Sequence, residues 1–160
     1  MSDRLEIIEV LARYVRALEE RDAKAVAALF APEGAFEIQS RSGREAYATR
    51  VTVTGPDKIQ ALMESGTLPA TRGNQYFTTD HIVDIDGDEA RMDAQFLTVE
   101  SNVEGTAGQN WPVGSVMLQG ALALSMAGHY ASVLRKIDGR WALTSHRVRH
   151  NLPMAVPPAK

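Results

Sequence analysis

The stretch QYFTTDHIVDIDGDEARM, residues 75–92, decides the reading of this chain. Apolar, β-branched and aromatic residues alternate here with polar ones, the period of a strand with one face buried. Strict alternation puts Phe77, Thr79, His81, Val83 and Ile85 on one face, and Tyr76, Thr78, Asp80, Ile82 and Asp84 on the other. Asp86-Gly87-Asp88 is a tight-turn sequence, so a second long strand is expected to run back from Glu89 to Glu104. Downstream the pattern repeats: a strand over about Leu118 to Ile137 meets another, Trp141 to Leu152, across Asp138-Gly139. These four segments read as an antiparallel meander.

Upstream the period changes from two to 3.6. Leu5, Ile7, Ile8, Leu11, Ala12, Val15 and Leu18 recur at helical spacing between a cap at Ser2 or Asp3 and Asp22. Ala23 to Phe30 repeats the pattern briefly, with Asp22 placed to cap it and Pro32 and Gly34 to end it, so the two form a helical hairpin. Phe36 to Gln39 and Ala46 to Thr54 are short strand candidates, and Gly55-Pro56-Asp57 starts a further helix through Glu64 that Gly66 closes. Helices first and an antiparallel sheet after them predict an α+β fold, a curved, mostly antiparallel sheet wrapped on the helical hairpin plus one short helix. Such a sheet encloses a cone-shaped space where small molecules bind. Gly105 to Gly114 reads as a mobile loop or lid, and Pro153 to Lys160 as a surface tail.

Composition narrows the chemistry. The 160 residues are 44% hydrophobic and 23% charged, enough for one domain with a core and a small internal pocket. A net charge of -3 without a basic run argues against a nucleic-acid partner. With no cysteine there is no disulfide framework, no thiolate nucleophile and no Cys-rich zinc site. The N-terminal residues carry acids and no apolar signal segment, and no run of about 18 apolar residues occurs, so a cytoplasmic protein outside the membrane is expected. Phosphate loops, nucleophile elbows and a dinucleotide fingerprint are missing, and no nucleotide cofactor or metal is expected.

Two ionisable residues point inward on these faces. Glu19 projects between Ala12 and Val15, inside the apolar arc of the first helix, where a carboxylate is costly to desolvate without a partner. His81 shares its predicted face with Phe77, Val83 and Ile85. A carboxylate that accepts from one ring nitrogen leaves the other free as a base, which is what proton abstraction from carbon requires. Glu100 and Asn102 share the face of Met92, Ala94 and Phe96 and reach toward the pocket mouth. Tyr130 is placed to donate to a substrate oxygen, and Arg147, on the face of Trp141 and Leu143, to hold an anion. His129, His146 and His150 read as exterior or subunit-contact residues. Leu97, Val99, Leu122, Leu124 and Met126 make the other sheet face apolar, which points to a homodimer formed through the sheet.

The run Tyr14-Val-Arg-Ala-Leu-Glu-Glu-Arg-Asp22, followed by Ala28-Leu-Phe-Ala-Pro-Glu-Gly34, resembles the opening of SnoaL-like proteins in the nuclear transport factor 2-like superfamily. Thr79-Asp-His81, Asp86-Gly-Asp-Glu-Ala90, Gly128-His-Tyr130 and Arg135-Lys-Ile-Asp-Gly-Arg-Trp141 carry the resemblance through nearly the whole chain. It implies a cystatin-like α+β cone, reused by dehydratases, dehydrochlorinases, isomerases, polyketide cyclases and non-catalytic proteins, and a dimer through the sheet. In the dehydratase branch a histidine on the third strand pairs with an aspartate late in the first helix. The resemblance puts His81 at the histidine and Glu19, one methylene longer, at the aspartate. Steroid isomerases of this fold use an aspartate base with a tyrosine and a protonated acid, and no matching set stands out.

The expectation is therefore a cofactor-independent lyase, isomerase or cyclase acting on a small hydrophobic molecule. His81 and Glu19 are its expected catalytic residues, and Tyr14, Tyr130, Arg147, Glu100, Asn102, Phe96 and Trp111 its substrate contacts. The alternative is a binding or dimerisation protein that uses the same pocket without chemistry.

Overall fold

A computed structural model describes residues 2–66, 72–102 and 120–153. Trp111, the 105–114 segment and most of the C-terminal tail fall outside them. The elements are α1 (Asp3–Glu19), α2 (Ala23–Ala27), β1 (Phe30–Ser40), β2 (Ala48–Thr54), α3 (Pro56–Ser65), β3 (Arg72–Asp86), β4 (Glu89–Asn102), β5 (Ala121–Ile137) and β6 (Arg140–His150). The strands form one six-stranded sheet in the order β2-β1-β6-β5-β4-β3. All neighbours are antiparallel except β1 and β6. The α+β expectation holds, with one parallel pair between the second and third strands of that order.

Helix α1 lies along β3 and is fastened at both ends. Near its start Arg4 Nη2 donates to the Val83 carbonyl at 2.8 Å, and at its last residue Glu19 Oε1 accepts from the Tyr76 amide at 2.9 Å. Ile7, Val10, Leu11, Tyr14, Val15 and Ala17 form its buried stripe. Each large apolar side chain removed from water there contributes about 1.5–3 kcal/mol, which is what holds a helix of this length in place. Asp22 caps α2 as its spacing predicts, accepting from Ala25 N at 2.8 Å. Strand β1 starts at Phe30, six residues earlier than the alternation suggested, and runs through Pro32 and Gly34. Glycine is required at position 34, because a Cβ there would sit 2.7 Å from the Leu143 carbonyl oxygen.

Three of the sheet's register shifts lie in the pairings among β3, β4, β5 and β6. The register of β3 on β4 shifts between Thr79 and Ile82, where Asp80 adopts the left-handed conformation at φ 53. The β4–β5 register skips Ser125, and the β5–β6 register skips Thr144. Each extra residue bends its strand, and it reverses which side chains point inward beyond it.

Candidate active site

The curled sheet and the three helices enclose a cavity of about 600 Å³. Every helix and every strand except β2 contributes to its wall. Leu18 and Val26 come from the helical hairpin, Leu62 and Met63 from α3, and Phe36, Ile38, Phe96, Met126 and Val148 from the sheet. Polar groups enter this apolar wall at a few positions: Glu19, Tyr14, Tyr76, Asn74, Tyr130 and His150 among them.

Glu19 is the carboxylate that reaches the cavity from α1. Its side chain is 20% exposed, accepts from the Tyr76 amide and lies 3.3 Å from Arg16 Nη1. Tyr14 and Tyr130 are buried, and burial raises both phenols well above their ordinary range, so both stay protonated donors. Neither phenol makes a hydrogen bond among the described residues. Burial also raises Tyr76, against a hydrogen bond from Asn74, with the Glu19 charge adding to the rise. His150 is lowered by burial and is a neutral imidazole in the wall.

Behind that wall stands a ladder of rings. Phe96 stacks on Tyr130 at 4.7 Å and Tyr130 on His146 at 5.2 Å, while Tyr14 meets His146 edge-on at 4.4 Å. His146 is fully buried, bonded through Nδ1 to Ser132 Oγ at 2.8 Å, and burial lowers its pKa to about 3. It fixes the rings of both phenols by contact alone.

Glu19, Tyr14, Tyr130 and Phe96 all line the cavity. His81 is not a wall residue. The β3 residue at the level of Glu19 is Tyr76, five positions from His81, which is about 16 Å along a strand. No hydrogen bond joins Glu19 to His81 among the described residues, so the expected pairing is not formed. Distance along β3 separates His81 from Glu19, and the bulge at Asp80 changes which face is inward: before it the inward residues are Asn74 and Tyr76 while Phe77 is 57% exposed, and beyond it Val83 is buried. Arg147 also leaves the pocket. Beyond the bulge at Thr144 the inward residues are His146, Val148 and His150, while Arg147 lies 3.4 Å from Glu37. His146 and His150 are therefore interior, contrary to the exterior placement expected from alternation. Glu100 lies 3.6 Å from Arg72 and, like Asn102, is not part of the wall. Met126, expected outside with Leu122 and Leu124, lines the cavity because the bulge at Ser125 separates them.

Of the residues missed by alternation, Tyr76, His146 and His150, only Tyr76 had a faint signal. Asp is tolerant of left-handed backbone, and Asp80 inside an otherwise β-branched run marks a place where period two can break. Among the described residues no three His, Asp or Glu gather as metal ligands, and no helix is long and apolar enough to cross a membrane.

A curled, mostly antiparallel sheet closed by N-terminal helices over a sheltered cavity defines the α+β cone known as nuclear transport factor 2-like or cystatin-like. The chain belongs to the SnoaL-like domain family, whose profile matches residues 1–147. Among solved structures it is similar to a nuclear transport factor 2-like protein with a cystatin-like fold from Novosphingobium aromaticivorans, at 20% identity and TM-score 0.64, covering 92% of this chain and 81% of that one. A candidate scytalone dehydratase from the same organism matches at 18% identity and TM-score 0.59, covering 91% and 82%. A protein from Catenulispora acidiphila, solved in complex with S-DNPA, matches at 19% identity and TM-score 0.65, covering 91% of each chain. At these identities the likeness establishes the fold. A search of curated protein sequences gave no significant match.

Proposed function

We propose that this chain is a cofactor-independent enzyme of the lyase, isomerase or cyclase type that acts on a small, mostly apolar, enolisable molecule. The observation that carries this reading is the half-buried Glu19 carboxylate, which opens with the protonated phenols Tyr14 and Tyr130 into a cavity walled mainly by hydrocarbon and aromatic carbon, while the other carboxylate of the lining, Glu64, is exposed. Glu19 takes a proton from the carbon next to a carbonyl, and a phenol donates to the oxygen on which charge develops. Elimination of water or halide, isomerisation and ring closure all begin with that step. The role of base passes from His81 to Glu19 because Glu19 lines the cavity and His81 does not. The candidate dehydratase and the ligand-bound structure among the similar folds support a small-molecule site.

Hydrogen–deuterium exchange at the α-carbons of a panel of bicyclic enolisable ketones, 2-tetralone first, followed by NMR in deuterium oxide, tests this reading. The chain is expected to accelerate exchange, and Glu19→Gln to reduce the acceleration by about a hundredfold or more. If the ketones bind, seen as shifts of the Tyr14 and Tyr130 ring signals, while none exchanges faster than in buffer, the protein is a binding module. One observation favours that second reading: the Glu19 carboxylate already serves the Tyr76 amide and Arg16.

The same proposal includes a second copy of the chain. Phe77, Leu97, Leu122 and Leu124 are 57%, 39%, 73% and 72% exposed, an apolar patch on the outer face of β3, β4 and β5. Patches of this kind are rare on monomers. Sedimentation equilibrium is expected to give a dimer, and Leu122→Asp with Leu124→Asp a folded monomer. A wild-type monomer at tens of micromolar would remove the dimer from the proposal.

A further inference from the structure

On the other half of the sheet the outer surface carries cations in place of hydrocarbon. The end of β6 meets the connection from β1 to β2, residues 41–47. Asn151 Oδ1 accepts two hydrogen bonds there, from the Tyr47 phenol at 2.7 Å and from Arg41 Nε at 3.1 Å. One strand over, Arg149 Nε donates to Gln39 Oε1 at 3.0 Å. Both guanidinium groups lie against the Tyr47 ring, the Arg41 carbon 4.6 Å and the Arg149 carbon 5.5 Å from its centroid. Two cations thus share one aromatic ring, and neutral amide oxygens hold their Nε atoms.

Arginines on a surface of net charge -3 ordinarily find acids. Here Arg41 and Arg149 form no ion pair among the described residues. Glu37, the carboxylate on the same strand as Gln39, lies 3.4 Å from Arg147 and accepts from Gln39 Nε2 at 2.8 Å. Two cations held on one ring repel each other, and an anion bound by both would relieve that repulsion. Bracing through Nε and through the ring also removes side-chain freedom before any ligand arrives, so less is lost on binding.

We propose that Arg41 and Arg149, braced by Tyr47, Asn151 and Gln39, form a binding site for a phosphate dianion, free or carried as a monoester. The terminal guanidinium nitrogens of each arginine form a planar fork that matches two phosphate oxygens, and two such forks match the charge of the dianion. The site stands outside the cavity and does not depend on the reaction proposed for it.

Isothermal titration calorimetry on the whole chain at low ionic strength tests the site with inorganic phosphate, phenyl phosphate and benzoate. Saturable binding of both phosphates is expected, weakened roughly tenfold or more in Arg41→Gln and in Arg149→Gln and also reduced in Tyr47→Leu. All three positions are half-buried at the surface, and a urea-unfolding midpoint near that of the wild type shows that the variants fold. Tighter binding of phenyl phosphate than of phosphate identifies a monoester ligand, and equal binding identifies free phosphate. Failure of phosphate to bind at millimolar concentration overturns the proposal. So does equal affinity in the Arg41→Gln, Arg149→Gln double variant, or benzoate binding as tightly as phenyl phosphate.

Discussion

Gly128→Ala is expected to cost the chain its stable fold. A Cβ at this position would press into the Arg149 carbonyl group, 2.9 Å from its carbon, and would lie 2.9 Å from a ring carbon of Phe96. Neither neighbour can yield. Arg149 belongs to the β5–β6 ladder, where its pairing with His129 is flanked by Gly128 with His150, and Phe96 is stacked on Tyr130. Overpacking of a rigid core typically costs 1–3 kcal/mol, and here the clash is with backbone, so about 3 kcal/mol or more is expected. Gly87→Ala is the control. Gly87 has φ 57 and nothing within 4 Å of an added Cβ, so only the left-handed strain of about 1 kcal/mol applies. Soluble yield and urea-unfolding midpoints of the two variants measure the difference. Equal midpoints would contradict the packing drawn around Gly128.

Acid is expected to unfold the protein early, and His146 is the reason. In the folded chain its pKa is lowered from 6.5 to about 3 because the ring is fully buried. Once unfolded, the imidazole takes up a proton below about pH 6.5, whereas the folded form stays neutral down to about pH 3. The unfolded state therefore binds the extra proton throughout that window, and stability falls by about 1.4 kcal/mol for each pH unit descended. Above pH 6.5 the effect is absent. His150, also lowered by burial, adds in the same direction. Asp3, lowered chiefly by its hydrogen bond from Lys136, adds its own loss only below the ordinary aspartate range. Unfolding free energies from urea titrations at pH 7, 6, 5 and 4 give the slope. His146→Gln, uncharged at every pH, should flatten it, and parallel slopes in the two proteins would show that the imidazole is not the titrating group.

The architecture was readable because its two signals are local. Leu5 to Leu18 at helical spacing and the alternation on either side of Asp86-Gly87-Asp88 and Asp138-Gly139 place the helix and two hairpins without knowledge of anything distant. The parallel contact of β1 with β6 was not readable, because nothing in Phe36 to Gln39 says which strand it will meet. The site was half readable for a single reason. Glu19, Tyr14, Phe96 and Tyr130 lie where the local period is unbroken, and they do line the cavity. Arg147 and Met126 each lie on the far side of a bulge from residues used to assign their face, and the Asp80 bulge separates His81 from Phe77, though not from Val83. One inserted residue exchanges inside for outside along the rest of a strand, so Tyr76 stands at the level of Glu19 and His146 is in the core.

The order of strands has a consequence for how the chain is made. β6, the last of the described strands in chain order, lies inside the sheet between β1 and β5. The hairpin of β1 and β2 emerges early with one edge unsatisfied, and must wait for more than eighty further residues before its neighbour exists. A nascent chain stopped before Arg140 would hold two separate ribbons with no seam between them, open to aggregation or capture by chaperones.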